Sequence, residues 1–394
     1  MSVKIGTATD YADLLNQLDS FLTGTGMALT PSFTGTGNGT IDALGGSAGV
    51  AEVITVTFTS STAFGVVGSV SGSLGTGVVG TPFTSTKANL TITAGGTAFV
   101  NGDVFTFSVT PPWTSKRRVS GSEMIWQAPG NGGLDQILVG AKEFHNVGAD
   151  YYNWRLGGFQ AYDSGSPFNQ QPGYVGGASQ ATPSPVIPLW NSTIPFWFIA
   201  NGRRVIVVAK ISTVYTAMYL GLISPYISPG AFPYPLAVGG TISFGASAEP
   251  AEGSADTRWR WSYTGTEAQV FAKPLLSPLT TPSNSALRLR RPDGFWTGFS
   301  GYFAEQTYGK CAPYCLIDSS SSDVRPNLDG SYPIFPIVMA DVTPNVYGEL
   351  DGVFDVTGFS NSAENTVTIG GIKHLVVQNV FRNTKSDFFA VRLS

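Results

Sequence analysis

The sequence predicts a mainly β protein, with a short N-terminal helix, a small β-sandwich module and a large all-β domain of sandwich or jelly-roll type. Charged residues make up 12% of its 394 residues, about half of the roughly 25% that is usual in globular proteins. The 48 glycines and 25 prolines indicate many turns between short strands. Runs of alternating apolar and polar residues recur after residue 34, as strands with one buried face require. A chain of this length can bury more than one core, so we expect two or three domains.

The clearest helical pattern lies near the N-terminus. Its apolar residues fall on one helical stripe, formed by Tyr11, Leu14, Leu15, Leu18 and Leu22 with Phe21 at its edge. Thr7 with Asp10 resembles a capping box and Gly24 follows the pattern, which predicts a helix over residues 9–22. A lone helix of about 14 residues is marginal in water. We therefore expect the stripe to pack onto another subunit or domain. Its six residues are the candidate assembly interface, within an N-terminal helix and linker over residues 1–33.

Residues 34–110 are predicted to form a small β-sandwich rich in glycine and threonine. Strict alternation over residues 53–59 places Ile54, Val56 and Phe58 on one face of a strand. Residues 89–110 repeat the pattern, with strand-like runs separated by a glycine pair and by an Asn-Gly-Asp turn. The module is expected to end at two consecutive prolines, 111 and 112, because proline cannot donate the hydrogen bonds of a strand ladder.

Residues 113–394 are predicted to form one large β-rich assembly domain. Asn201 and Gly202 separate two strand-like runs, a pattern typical of a hairpin with a type I′ turn, in which both central residues have positive φ. Two glycines at 370 and 371 separate a second pair of runs, over residues 366–369 and 372–381, which predicts a further hairpin.

The sequence offers few side chains for catalysis. Only two histidines are present, His145 and His374, in unrelated strand-like contexts, so neither a zinc site nor a serine triad is expected. Residues 163–167 superficially resemble the nucleophile turn of trypsin-like proteases, but the preceding glycine is missing and a plain Ser/Gly loop is favoured. We therefore predict a protein that is not an enzyme and has no catalytic residue.

Metal and cofactor sites are not predicted either. The polar residues of segment 323–329 have the wrong types and spacing for a calcium loop, so a structural turn is favoured. Cys311 and Cys315 have no second cysteine pair to complete a four-sulfur site, and two free thiols are favoured over a disulfide that closes a tight loop. We expect no metal and no cofactor.

Charge and aromatic patterns bear on the partners. The net charge of −4 supplies no overall attraction for nucleic acid. Basic clusters at residues 116–118, 203–204 and 288–291 are expected to be solvated or to bridge subunits, with phosphate binding as the alternative. The aromatic residues of segment 151–162 are expected in core or interface packing, with a glycan-stacking platform as the alternative. No export signal and no apolar run long enough to span a bilayer is visible, so we expect a soluble chain without a membrane segment.

Five segments follow one another along most of the chain: YADLLNQLDSFLT, ITAGGTAFVNGDVFTFSV, YYNWRLGGF, RRVIVVAKISTVYTAMYLG and VYGELDGVFDVTGF. In this order they resemble virion structural proteins encoded among the tail and baseplate genes of tailed bacteriophages. The resemblance implies a component of the baseplate, tail tip or neck, present as a symmetric ring or trimer and made in the cytoplasm of the bacterial host. It carries no catalytic or metal-binding residues.

The function expected from these observations is mechanical. Low charge indicates surface that is buried against other molecules, because isolated soluble proteins use mixed surface charge to stay monomeric. The chain is expected to act in the tail or neck region of a virion, by assembling with copies of itself and with other virion proteins. Two alternatives stay open: a tail module that binds a bacterial surface glycan as its receptor, and a collar or head decoration protein.

Overall fold

A computed structural model describes most of the N-terminal half of the chain and parts of the remainder. The described residues are 2–24, 26–28, 31–46, 51–130, 137–148, 150–176, 184–228, 235–241, 287–296, 302–303, 326–340, 346–378 and 388–393. Within these ranges the fold is mainly β, with one α-helix and several antiparallel sheets. The predicted fold class is confirmed.

The described chain begins with a strand that the sequence analysis did not predict. Strand β1 (Ser2–Ala8) pairs antiparallel with residues 194–200 of the large domain. Helix α1 (Tyr11–Gly24) follows it directly. Within the segment 1–33, both β1 and α1 therefore pack into the large domain.

The N-terminus of α1 is capped by carboxylates. Asp10 Oδ1 accepts hydrogen bonds from the backbone N–H groups of Ala12 and Asp13, both at 2.8 Å. Asp13 Oδ2 in turn accepts the backbone N–H of Thr9 at 2.9 Å. Thr7 lies in β1, so the predicted pair of Thr7 with Asp10 is wrong, and the cap is formed by Asp10 with support from Asp13.

Residues 27–110 form two antiparallel sheets around their own core. Their strands are β2 (Met27–Ala28), β3 (Ser32–Thr34), β4 (Thr40–Gly45), β5 (Glu52–Phe58), β6 (Ala63–Gly68), β7 (Gly72–Val78), β8 (Phe83–Thr84), β9 (Ala88–Thr93) and β10 (Val104–Thr110). The larger sheet has the order β2-β10-β5-β6-β7, with β3 also on β10, and the smaller sheet has the order β4-β9-β8. Ile54, Val56 and Phe58 are fully buried between the sheets, as the alternation predicts. We call residues 27–110 the module.

The large domain contains three further sheets. Its strands are β11 (Thr114–Val119), β12 (Glu123–Ala128), β13 (Ile137–Asn146), β14 (Tyr151–Phe159), β15 (Val186–Leu189), β16 (Ile194–Ala200), β17 (Arg204–Ile211), β18 (Val214–Leu222), β19 (Ser224–Pro225), β20 (Leu236–Gly239), β21 (Leu287–Leu289), β22 (Tyr302–Phe303), β23 (Ile334–Ala340), β24 (Val346–Val356), β25 (Thr366–Ile369), β26 (Ile372–Gln378) and β27 (Phe388–Arg392). A short 3-10 helix spans Phe168–Gln170. The first sheet has the order β11-β12-β13-β14-β15, the central sheet β1-β16-β17-β18-β20-β21, and the third sheet β22-β23-β24-β27-β26-β25 with β19 on β24.

The central sheet is buried on both faces. Phe196 and Phe198 of β16 belong to a core shared with the first sheet and α1. Trp197 and Ile199 of the same strand belong to a second core shared with the third sheet. A strand covered on both faces has a nearly continuous apolar sequence, as the run Ile194–Ala200 does. The large domain is therefore a three-layer arrangement of sheets.

The hairpin predicted around Asn201 and Gly202 is confirmed, but its predicted type I′ turn is wrong. Strands β16 and β17 pair in register up to Ala200 opposite Val205, yet neither Asn201 nor Gly202 has positive φ. Instead, Asn201 Oδ1 accepts the backbone N–H groups of Arg203 and Arg204 at 2.8 and 3.0 Å, which shapes the turn from the side chain. Gly202 is needed for space, because a Cβ there would lie 2.7 Å from a backbone oxygen.

The second predicted hairpin is confirmed together with its turn. Strands β25 and β26 pair up to Ile369 opposite Ile372. The two residues between them, Gly370 and Gly371, have φ of +58° and +80°, as a type I′ turn requires. Strand β26 ends at Gln378, and residues 379–381 of the predicted run lie outside the described residues.

Candidate assembly surface

The stripe predicted as an assembly interface lies inside the protein. Leu14, Leu15, Leu18 and Leu22 are fully buried in the core shared by the first and central sheets. Tyr11 and Phe21 are partly buried and pack against the same core. The other domain that the stripe needed is thus the chain's own pair of sheets. This corrects the expectation of an intersubunit contact at these six residues, because a buried stripe offers no surface to a partner.

The residues considered for catalysis have separate structural partners. In the 163–166 turn, Ser166 Oγ donates to Asp163 Oδ2 at 2.7 Å. His145 lies on β13, with its Nδ1 2.6 Å from Glu143 Oε2. His374 is buried edge-on against an aromatic ring, and burial lowers its pKa. The serine and the two histidines therefore lie on different elements, each with its own local partners.

Two of the three basic residues in the cluster on β11 are bound within the chain. Arg117 Nη1 lies 2.8 Å from Glu123 Oε1, and its Nη2 donates to backbone carbonyls of the 163–166 turn. Arg118 Nε lies 3.1 Å from the Oδ2 of Asp19, a buried residue of α1. These two arginines bridge strands, helix and turn inside one molecule, while Lys116 and much of the Arg118 side chain remain solvated, as expected.

The second basic cluster forms a buried junction. Arg204 is fully buried, with its Nε 3.1 Å from Asp351 Oδ2, and Asn201 Nδ2 donates to the same oxygen at 2.9 Å. Burial raises the pKa of Asp351, but the charge of Arg204 and the hydrogen bond from Asn201 outweigh burial and hold the pKa below its usual value. The Trp113 indole N–H donates to the backbone oxygen of Asn201 at 2.9 Å. The junction therefore joins the end of the module to the central and third sheets.

The third basic cluster is also largely buried within the chain. Arg288 and Arg290 are buried beside β20 and β14. Burial lowers the pKa of Arg288 to about 10. Neither arginine presents a surface for phosphate.

The aromatic residues of segment 151–162 pack mainly in the core. Tyr151, Tyr152, Trp154 and Phe159 are buried. Tyr162 is partly buried under the guanidinium of Arg117, whose Cζ lies 5.5 Å from the ring centroid. A glycan could not stack on the four buried rings.

The module carries very few charged residues for a soluble protein surface. It contains four charged residues, Asp42, Glu52, Lys87 and Asp103. Two of them, Glu52 and Asp103, are buried. Asp42 and Lys87 are thus the charged residues left at the surface of this part of the chain.

The two buried carboxylates fasten loops of the module. Glu52 Oε2 accepts two backbone N–H groups of the turn between β6 and β7, at 3.1 and 3.0 Å. Asp103 accepts the backbone N–H groups of Thr36 and Gly37, both at 3.0 Å. Burial raises the pKa of each carboxyl, but these hydrogen bonds outweigh burial and hold both pKa values below the usual range. Both groups therefore stabilise the module and are not available to a partner.

The outer face of the larger module sheet carries no charged side chain among its described residues. It consists of the alternate residues of β5, β6 and β10 that point away from the core: Val53, Thr55, Thr57, Gly65, Val67, Val104, Thr106 and Ser108. We call these eight residues the uncharged face. Pairing of Thr55 with both Thr106 and Val67 joins the three strands into one surface. Val53 and Val67 are 39% and 48% exposed.

The two surface charges of the module lie on its other sheet. Asp42 is an exposed residue of β4, and Lys87 directly precedes β9. Strands β4 and β9 belong to the smaller sheet. The module therefore has one charged side and one uncharged side.

The outer strand β7 is also uncharged. Its sequence GSLGTGV contains neither a charged residue nor a proline, whereas the edge strand β11 of the first sheet carries three basic residues in a row. Charged residues commonly protect edge strands from pairing with other chains. A bulge at Leu74, where the register with β6 shifts, gives β7 a partial protection of another kind. The uncharged face is therefore the stronger candidate for a contact surface.

No protein-family model matches the chain, and no curated protein matches it. Across the described ranges, no group of three or more His, Cys, Asp or Glu residues could hold a metal ion. No helix in the described part of the chain is long and apolar enough to cross a membrane. Cys311, Cys315 and residues 323–325 lie outside the described residues.

The uncharged face was not predicted from the sequence, although two of its three strands, β5 and β10, were. The alternation in β5 identified Ile54, Val56 and Phe58 as the buried side, and no prediction was made for the opposite side. The available signal was the presence of four charged residues in the whole of 27–110. Charge counted by segment, and not only over the whole chain, would have indicated this surface.

Proposed function

We propose that this protein is a non-enzymatic structural component of a tailed-phage virion, in the tail or baseplate region, and that it acts by assembling with copies of itself and with other virion proteins. The uncharged face is the observation that carries the proposal. Interface cores are depleted of charged residues, and a soluble protein that works alone normally covers such a face with mixed charge.

The large domain supplies the rigid support that a structural subunit needs. Its central sheet is covered on both faces, and α1 is fixed to the first sheet by Asp19, whose Oδ1 accepts the indole N–H of Trp126 at 2.8 Å. The junction of Asn201, Arg204 and Asp351 lies where the module joins this domain. A force applied to the module would therefore be transmitted to the three packed sheets of the large domain.

The proposed position in the virion rests on the resemblance to tail and baseplate proteins. A collar or head decoration protein would use the same kind of surface and differs only in its position on the particle. The receptor-binding alternative loses its proposed platform, because four aromatic residues of segment 151–162 are buried. The burial of these residues supports the proposal of an assembly component over a receptor-binding module.

The proposal is tested with particles made from the genome that encodes this chain. Particles are purified on a density gradient, washed in high salt, and analysed by quantitative mass spectrometry and by immunogold electron microscopy with an antibody to the chain. We expect a constant ratio of this chain to the other structural proteins, and label at the tail end or neck. Label over the head would favour decoration, and recovery of the chain only in the soluble lysate would contradict a structural role.

A further inference from the structure

We infer that the uncharged face docks on the same face of a second copy of this chain, so that the larger sheets of two modules pack face to face. The inference rests on the proposed function and names the partner of its surface. The smaller sheet, with Asp42 and Lys87, then points away from the contact.

The area of the sheet fits a stable pair. At about 4.8 Å between strands and about 3.4 Å along them, each residue covers about 16 Å² of a sheet. The six strands of the larger sheet, with the uncharged face at their centre, hold 32 residues, so the outer side of the sheet covers roughly 520 Å². Two copies that met over this whole side would bury about 1,000 Å², the lower bound expected of a specific interface. Sheets that stack lie about 10 Å apart, close enough for their side chains to interdigitate.

The chemistry of the face is complementary to itself. Val53 and Val67 lose exposed apolar surface when they are covered. Threonine hydroxyls both donate and accept hydrogen bonds, so the rows containing Thr55 and Thr106 can satisfy each other across a contact. A charged partner would lose its water there without gaining a counter-charge. The same face of a second copy carries no charged side chain and so avoids this cost. The same patch on both subunits gives a two-fold contact that closes on itself.

The experiment uses the full chain and two matched double variants. Thr57→Glu with Val67→Glu places carboxylates at exposed positions of β5 and β6. Thr366→Glu with Thr368→Glu makes a comparable change at two exposed positions of β25 in the third sheet. Sedimentation velocity over a concentration series measures association. We expect the wild type and the β25 variant to associate alike. The Thr57/Val67 variant should associate at least about tenfold more weakly, because like charges would face each other. Its unfolding midpoint should stay near that of the wild type.

A charge-reversal mixture distinguishes loss of contact from loss of fold. Thr57→Lys with Val67→Lys should also weaken association, and an equimolar mixture with the Glu variant should restore it in a salt-sensitive manner. A wild type that remains monomeric, a Thr57/Val67 Glu variant that associates normally, or a mixture that fails to recover would overturn the inference. If the chain is nevertheless a constant component of washed particles, the proposed function stands. Pairing in solution by a chain absent from washed particles would overturn the proposed function alone.

Discussion

At the scale of single residues, Asn201 connects several parts of the junction through both its backbone and its side chain. Its backbone oxygen accepts the Trp113 indole N–H, its Nδ2 donates to Asp351, and its Oδ1 accepts the backbone N–H groups of Arg203 and Arg204. The residue is buried, so each group would lack water if its partner were removed. One side chain thus shapes a turn and orients a buried ion pair.

We predict that Asn201→Ala lowers the free energy of unfolding by about 2–4 kcal/mol, because the side-chain partners of Asn201 lose hydrogen bonds in a buried site. Asn201→Asp should be more damaging at neutral pH, since it places a second carboxylate against Asp351. Denaturant unfolding measures both, with the exposed Asn191→Ala as control. A change of less than about 0.5 kcal/mol for Asn201→Ala, the range of an ordinary surface substitution, would contradict the structural role of this residue.

Asp351 gives the protein a predictable response to acid. Its pKa is held below the unfolded value by Arg204 and Asn201, in spite of burial. A depressed carboxyl pKa contributes stability that is present above the unfolded pKa of about 3.9 and is lost as the pH falls through the folded pKa. We expect stability to decline below about pH 4, and Asp351→Asn to show a shallower decline together with lower stability at pH 7. Equal slopes for wild type and variant in an unfolding series from pH 7 to pH 2 would exclude this contribution.

The sequence was informative about residues whose roles are local. It identified Ile54, Val56 and Phe58 as buried, since alternation within one strand needs no knowledge of the partner strand. It could not predict that Arg204 would meet Asp351, because the two residues lie far apart in the chain and the pairing depends on how two sheets stack. The uncharged face could not be predicted for the same reason, because its residues come together only when three strands pair in one sheet.

At the scale of elements, two hairpins with similar sequence signals use different turns. Gly370 and Gly371 have positive φ, whereas Asn201 and Gly202 do not. The side chain of Asn201 and the close packing of Gly202 decide the second case. Strand β1 was missed for a comparable reason: its Ile5 is 63% exposed, so its apolar pattern does not mark a buried face, and its partner β16 is distant in sequence.

We predict that Gly371→Val destabilises the β25–β26 hairpin by about 1–2 kcal/mol, because a β-branched residue is strained at positive φ. Gly96→Val is the matched control, since Gly96 has no positive φ and a Cβ there meets open space. Thermal unfolding should separate the two, with Gly371→Asn intermediate or neutral because asparagine tolerates this region. Equal effects of the two valine variants would show that the turn does not require positive φ in solution.

At the scale of the whole molecule, the described residues combine a three-layer domain with a module whose two sides differ in charge. The core strands Ile194–Ala200 and Arg204–Ile211 could be identified from their sequence as a hairpin. Their coverage on both faces could not, because it depends on the first and third sheets contributed by other parts of the chain. The same long-range packing places the apolar stripe of α1, which was predicted to pack onto another subunit or domain, against the chain's own sheets.

A cryo-EM map of the purified particles tests the proposed function and the proposed contact surface together. We expect many copies of this chain at the tail end or neck, arranged with closed symmetry, in which modules of neighbouring copies touch through the uncharged face while the α1 stripe stays inside each subunit. A particle without this chain, or one in which its copies leave the uncharged face open to solvent and touch elsewhere, would contradict the account.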